Sequence, residues 1–323
     1  MTDEDAKATI RWFSWLFGVA MLSAVIIAAI HFSEERELLR IAESAQPWWL
    51  AVAAALQVGT YFAQGEAWRV VMRAAGYSIA LSLAFKLSLA KLFIDQAIPS
   101  AGISGTVVVA RALEHRGVSR AVVMASVVIE SVSYYAAYIM ALAFAVLITV
   151  VGGHASPLIF ATALCFIAFS AALSTAALAL AGRRHTIPQW LMRVPLLRTV
   201  LSLVGEADPI FVRSLPLMIK SGSFQLGIVL LDAATVWVLI RALGEEASPT
   251  GVFASFVVST LLRTISIVPG GLGVFEAASV VTLRLAGVSL SVALAATLLF
   301  RGLSFWLPMG PGILFSRMAR RLG

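Results

Sequence analysis

Charge is what this chain has least of. Of its 323 residues only 13% are Asp, Glu, Lys or Arg, against about 25% in soluble domains. Together with 60% hydrophobic residues and a mean hydropathy of +0.93, that scarcity excludes an ordinary soluble enzyme and a disordered chain. Cysteine is nearly absent. Cys165 stands alone, so no internal disulfide framework and no thiolate metal cluster can form. The four histidines, His31, His115, His154 and His185, are scattered without metal-ligand spacing. No GxxxxGK[ST] loop, GxSxG elbow or HExxH pair occurs, which removes an ATP-driven motor and the commonest hydrolase and metalloprotease sites. Lys and Arg number 24 against 17 Asp and Glu. No basic run is interleaved with aromatics, so nucleic acid is not an expected partner. Neither a metal nor a cofactor is expected.

What the chain has in abundance is apolar runs. About 20 apolar residues cross a bilayer, and runs of that kind occupy 12–30, 47–69, 120–151, 156–181, 224–243 and 289–315, the last interrupted by Pro308 and Pro311. They are continuous rather than alternating, which excludes a β-barrel. The acidic start (Asp3, Glu4, Asp5) and the lack of a small-residue cleavage site argue against a removable leader. Two further apolar regions, 79–113 and 249–285, are broken by IPSAG and VPGGLG. Proline and glycine stop helices, and irregular backbone at membrane depth survives only where protein or a wet cavity surrounds it. Each region therefore reads as a re-entrant helical hairpin, or as two short spans. The expected class is an all-α polytopic membrane protein, one domain over 1–323, with six spans and two re-entrant hairpins.

Orientation follows from the basic loops. Arg69 and Arg73, Arg111 to Arg120, the stretch 183–221 and the tail with Arg317, Arg320 and Arg321 are basic, while 33–46, 151–156 and the turn at Glu245 and Glu246 are not. Both termini are then cytoplasmic, the first hairpin entering from the inside and the second from the outside. Residues 183–221 read as a cytoplasmic amphipathic helix at the interface, or as a plain connector. A shift of 170 residues places Pro99 on Pro269, Leu113 on Leu283, and Gly117-Val118-Ser119 on Gly287-Val288-Ser289. Each half, 10–151 and 152–318, runs span, span, hairpin, span. The halves start on opposite sides, so the repeat is inverted, a pattern of transporters built around broken helices.

Ionisable residues inside these segments are costly and mark sites or internal pairs. Lys86, Lys91 and Asp95 lie in the first hairpin, and Lys91 and Asp95 share a helix face at i,i+4. Glu130 lies in the third span, Asp232 in the fifth, Arg263 and Glu276 on either side of the second break, and Arg301 in the last span. One reading is a polar cavity between the hairpins for an amphiphile head group. Lys86, Lys91, Arg263 and Arg301 then meet a phosphate, and Glu130, Asp232 and Glu276 meet cations or hydroxyls, with helix ends at Pro99, Gly102, Pro269, Gly270, Gly271 and Gly273 adding their dipoles. The other reading is that these charges pair with one another and lock the bundle. Arg111, Arg241 and Arg284, near helix ends, are expected to snorkel.

The stretch ISIVPGGLGVFEAASVVTLRLAGVSLSVALAATLLFRGLSFWLP resembles the lysylphosphatidylglycerol synthase transmembrane-domain family, also called flippase-like integral membrane proteins. The PGGLGxxEA element, the GVS that follows it and the R-x-x-x-x-W of the last span carry the resemblance, placing Pro269, Gly270, Gly271, Gly273, Glu276 and Arg301 at family positions. In the first half, AIPSAGISGTVVVAR and VVIESVSYY match at Pro99, Gly102, Arg111 and Glu130, without the acidic residue after the glycine or the R…D pair. The resemblance implies a membrane domain that moves a lipid. Bifunctional relatives add a cytoplasmic aminoacyl-lipid synthase, for which this chain leaves no room after its last span, so catalysis is not expected of it. The expectation is a lipid flippase of a bacterial-type inner (cytoplasmic) membrane, its partner a phospholipid or lipid-linked head group, driven without a cofactor, an ion gradient acting through Glu130, Asp232 or Glu276. The alternatives are an accessory subunit presenting lipid to a separate enzyme of an aminoacyl-lipid or hopanoid pathway, and an intramembrane lipid-modifying enzyme.

Overall fold

A computed structural model describes residues 45–97, 103–151, 157–182, 201–266 and 268–321. The expected first span at 12–30, the break residues Pro99 and Gly102, and most of the expected amphipathic linker lie outside these residues. The described residues are helical and turn-linked, with no strand among them. The helices are α1 Pro47–Ala74, α2 Leu81–Ala97, α3 Ile103–Glu114, α4 Arg120–Val151, α5 Pro157–Leu180, α6 Pro209–Val212, α7 Leu215–Ala242, α8 Pro249–Ile265, α9 Val274–Leu285, α10 Leu290–Arg301 and α11 Leu307–Arg321. Several open on proline, whose missing N–H costs nothing at the first helical position. Short polar caps precede two of these: Ile210 N–H donates to Asp208 Oδ1 at 2.9 Å, and Gly251 N–H to Ser248 Oγ at 3.5 Å.

Three described helical stretches have the length and apolarity to cross a bilayer: Arg120–Val151, Leu215–Ala242 and Leu290–Ser316, with mean hydropathies of 2.1, 1.9 and 1.7. They make the chain a membrane protein. α1 also has 28 residues, about 42 Å of helix. It falls outside this set because Gln57, Thr60 and Gln64 interrupt its apolar run. α7 starts at Leu215, inside the stretch read as linker, and not at Phe224. Exposed Lys220 sits within its first turns, where a long stem lets the ammonium reach water without ending the helix. The last span also differs from expectation. Pro308 and Pro311 do not interrupt it; the helix widens earlier, into a π turn over Gly302–Trp306. That wider turn gives room for Pro308, whose ring clashes with a carbonyl one turn back in a regular α-helix.

The second break forms where VPGGLG predicts it. α8 ends at Ile265, a 3-10 turn covers Pro269–Gly271, and α9 begins at Val274. Gly270 (φ 60°) and Gly271 (φ 62°) hold left-handed conformations. Glycine is required twice over there: a Cβ on Gly270 would run into the Phe305 ring, and one on Gly271 into the Arg263 stem. Element lengths recur along the chain. α1 and α7 have 28 residues each, α2 and α8 have 17, and α3 and α9 have 12. The helix that follows is entered the same way in both halves. Ser119 N–H donates to the Tyr77 hydroxyl at 3.2 Å, and Ser289 N–H to Glu245 at 2.8 Å.

The chain divides into two compact units. The first comprises Met1–Val58, Ile94–Gly102 and Leu230–Gly310. Phe256, Phe275 and Phe300 stack in its interior, with ring centroids 5.6–6.4 Å apart. Hydroxyl pairs tie α8 to α9 (Ser255 to Thr282, 2.6 Å) and α9 to α10 (Ser279 to Thr297, 2.9 Å). The second unit comprises Gly59–Phe93, Ile103–Val229 and Pro311–Gly323. Its core gathers Trp68, Met72, Leu113, Val123 and Met124. At the edge of that core Arg120 bridges Glu206 at 2.5 Å and Glu114 at 3.6 Å.

Gly270→Ala is expected to destabilise the protein by about 2–4 kcal/mol, the left-handed conformation and the overpacking both contributing. Gly227→Ala, inside α7 with open space around it, is not. Melting temperatures of the two variants in detergent provide the comparison.

Candidate functional site

In the first unit the second break is closed by a buried ion pair. Glu276 lies in the first turn of α9, where the helix dipole favours an acid. Its Oε2 accepts the Gly273 N–H at 2.7 Å and its Oε1 accepts Arg301 Nε at 2.6 Å. Arg301 reaches back from the end of α10 and also donates Nη2–H to the Gly270 carbonyl at 3.1 Å. Its guanidinium lies over Phe305 at 4.3 Å and Phe275 at 5.5 Å. Glu276 is 1% exposed and Arg301 3%. Both carboxylate oxygens are therefore occupied, and the pair clamps the glycine turn from two sides.

Two further charges of this unit are left open. Asp232, on α7, accepts at Oδ1 from Gln57 Nε2 at 2.7 Å, and the same amide reaches Thr235 Oγ1 at 3.2 Å. Arg263 lies in the last turn of α8 and is half-buried. The Arg263 stem rests where Gly271 has no side chain. Asp95, at the end of α2, is half-buried in the same unit.

The second unit holds a separate polar cluster. Glu130, on α4, accepts Gln64 Nε2 at Oε1 (2.8 Å) and Trp68 Nε1 at Oε2 (2.7 Å). Lys91 Nζ stands 3.7 Å from Oε1. Glu130, Lys91 and Trp68 line a small cleft with Thr106, Leu113, Val123 and Ser126. Only about 10 Å³ of it admits the centre of a water molecule, roughly the room one water needs. Lys86 lies over the Phe315 ring at 5.8 Å.

The ionisable residues expected at the site are thus divided. Lys86, Lys91 and Glu130 belong to one unit, and Asp95, Asp232, Arg263, Glu276 and Arg301 to the other. Of the arginines expected to snorkel, Arg241 lies over Trp237 at 4.8 Å and meets Glu246 at 3.4 Å, Arg284 donates to the Val288 carbonyl at 3.3 Å, and Arg111 is exposed. The residues that sequence reasoning missed are Gln57, Gln64, Trp68 and Thr235. The signal was present: Gln57, Thr60 and Gln64 recur at helical spacing inside an apolar run, one face of α1. Among the described residues no three His, Cys, Asp or Glu side chains gather to hold a metal.

Over residues 15–312 the chain matches the family described as Lysylphosphatidylglycerol synthase TM region. The chain belongs to this family. The match takes in the glycine turn, its Glu276–Arg301 clamp and the Glu130 cleft, and it bears out the resemblance read from PGGLGVFEA and the Arg301–Trp306 spacing. A UPF0104 membrane protein of Methanothermobacter thermautotrophicus is 34% identical over 84 residues. That similarity covers 26% of this chain and 25% of the relative, so the chain spans about a quarter of that relative's length. Membership makes this a membrane protein of a lipid-related family.

Removing one member of the buried pair leaves the other uncompensated. Glu276→Gln and Arg301→Met are each expected to cost about 3–5 kcal/mol, and the double variant less than their sum. A double-mutant cycle on melting temperature in detergent measures the coupling.

Proposed function

We propose that this protein carries a phospholipid or lipid-linked amphiphile across a bacterial-type cytoplasmic membrane. Six spans and two re-entrant hairpins form an inverted repeat over 10–151 and 152–318, with both termini cytoplasmic. Rocking of the repeats alternates access. Family membership and the recurring helix lengths support this reading. The observation that carries it is the Glu130–Lys91 cleft. A carboxylate and an ammonium at membrane depth are costly unless they meet polar partners. Here they line a space with Thr106 and Ser126, chemistry that suits a phosphate and its hydroxyls. The cleft now takes about one water, so a head group enters only when it opens, as alternating access requires. The family's description joins a membrane region to a synthase, which favours as a second reading a subunit that presents lipid to a separate lipid-modifying enzyme.

Reconstituted into vesicles, the protein is expected to make a fluorescent phospholipid in the inner leaflet accessible to an external quencher. Lys91→Met and Glu130→Gln should each slow this at least tenfold, on the order of 1.4 kcal/mol in barrier height. Wild-type rates in both variants would remove the cleft from the path. No flipping of any anionic, zwitterionic or aminoacylated phospholipid would favour the presenting subunit.

A further inference from the structure

α7 is long and apolar enough to cross the bilayer, and its 28 residues make about 42 Å of helix against a hydrocarbon core of about 30 Å, so its ends reach the head-group layer. In the first unit the start of α1 is tied to the end of α7: Gln46 N–H donates to the Ala242 carbonyl at 2.9 Å. Around that tie the two helices bring three indoles together. Trp48 and Trp49 lie with ring centroids 3.8 Å apart, and Trp49 meets Trp237 edge-on at 6.5 Å. Trp237 Nε1–H donates to the Ala247 carbonyl at 3.0 Å, and Trp48 Nε1–H to Gln46 Oε1 at 3.3 Å. Trp48 is nonetheless 56% exposed. A rigid ring with an apolar body and one polar edge suits the boundary between acyl chains and head groups. The arginine on this platform is held in place but weakly neutralised. Arg241, in the last turn of α7, stacks its guanidinium 4.8 Å over Trp237. It pairs with Glu246 at 3.4 Å, a side chain 87% exposed. A pair that open to water is worth little and yields to a competing anion.

We propose that Arg241 and the platform of Trp48, Trp49 and Trp237 form a docking site for an anionic phospholipid at this membrane boundary, Arg241 taking the phosphate and the indoles covering the glycerol and the upper acyl chain. Stacking covers one face of the guanidinium and leaves its N–H edge, which offers paired donors to phosphate oxygens. The phosphate takes the place of Glu246, whose carboxylate turns fully to water. One monoanion replaces another, so the arginine stays neutralised. Choline neutralises its own phosphate, so a head group without a cation, such as that of phosphatidylglycerol, is the better fit. The neighbouring charges in these turns are engaged elsewhere. Glu245 accepts the Ser289 N–H at 2.8 Å, and Arg284 donates to the Val288 carbonyl at 3.3 Å. The site shares no residue with the Glu276–Arg301 clamp or with the Glu130 cleft.

Binding is read without transport, so this site and the transport reading stand or fall separately. The full chain is placed in nanodiscs of phosphatidylcholine containing rising fractions of phosphatidylglycerol brominated near the head-group end of one acyl chain, and the loss of tryptophan emission is followed. In wild type this lipid is expected to quench at about a fivefold lower fraction than phosphatidylcholine carrying the same bromines, the preference one arginine near a membrane surface provides. Arg241→Gln should bring the two lipids level, with Arg241→Lys between. Glu246→Gln, which removes only the competing carboxylate, should raise the preference. An Arg241→Gln protein that keeps the wild-type preference overturns the proposal, as does a Glu246→Gln protein that loses it. Trp48→Phe removes the most exposed reporter of the platform and should remove much of the excess quenching; an excess left unchanged places the lipid elsewhere and overturns the site. If Arg241→Gln does not fold, Arg241→Lys and Glu246→Gln decide. Inorganic phosphate that erases the preference would mark a free-anion site and overturn the assignment to lipid.

Discussion

Inside hydrocarbon an unpaired charge costs about 2.5–3.5 kcal/mol on insertion scales and far more in simulations, and a backbone group without a hydrogen-bond partner costs several kcal/mol. The rest of this structure depends on how those costs are met where the helices stop. At the glycine turn 268–273 the chain leaves helical geometry and exposes N–H and carbonyl groups. Glu276 takes the Gly273 N–H, and Arg301 takes the Gly270 carbonyl and the carboxylate that did the capping. Two residues far apart in the chain thus satisfy each other and the backbone at once. Phe305 and Phe275 cover the guanidinium faces and keep water out. The left-handed glycines exist because Phe305 and Arg263 occupy the space that side chains would need.

Other ionisable groups lie apart from that pair. Glu130 is held by two N–H donors and faces Lys91 across a cleft with hydroxyls on its wall. Asp232 accepts an amide hydrogen from Gln57.

Much of the fold was legible before any coordinate. A 32-residue apolar run gives α4 because nothing in it stops a helix, and PGG stops one because proline removes a donor and glycine supplies left-handed backbone. Less legible was the face of α1, where two glutamines and a threonine look like dilution of an apolar run until their spacing is plotted on a helix. The start of α7 was misplaced because hydropathy penalises Lys220, while a helix tolerates a lysine that reaches water. Pro308 read as a break, yet the π turn after Arg301 lets the helix pass it.

Composition and pattern by themselves determined the class, the positions of the apolar segments and the short set of charges worth asking about. Each follows from transfer free energy and helix geometry, which act residue by residue along the chain. Only tertiary structure decided which charge meets which. Lys91 stands 3.7 Å from Glu130, a residue of another helix 39 positions away. Glu276 and Arg301, 25 positions apart, close on each other. Coulomb energy depends on distance in space, and sequence separation carries almost none of that information.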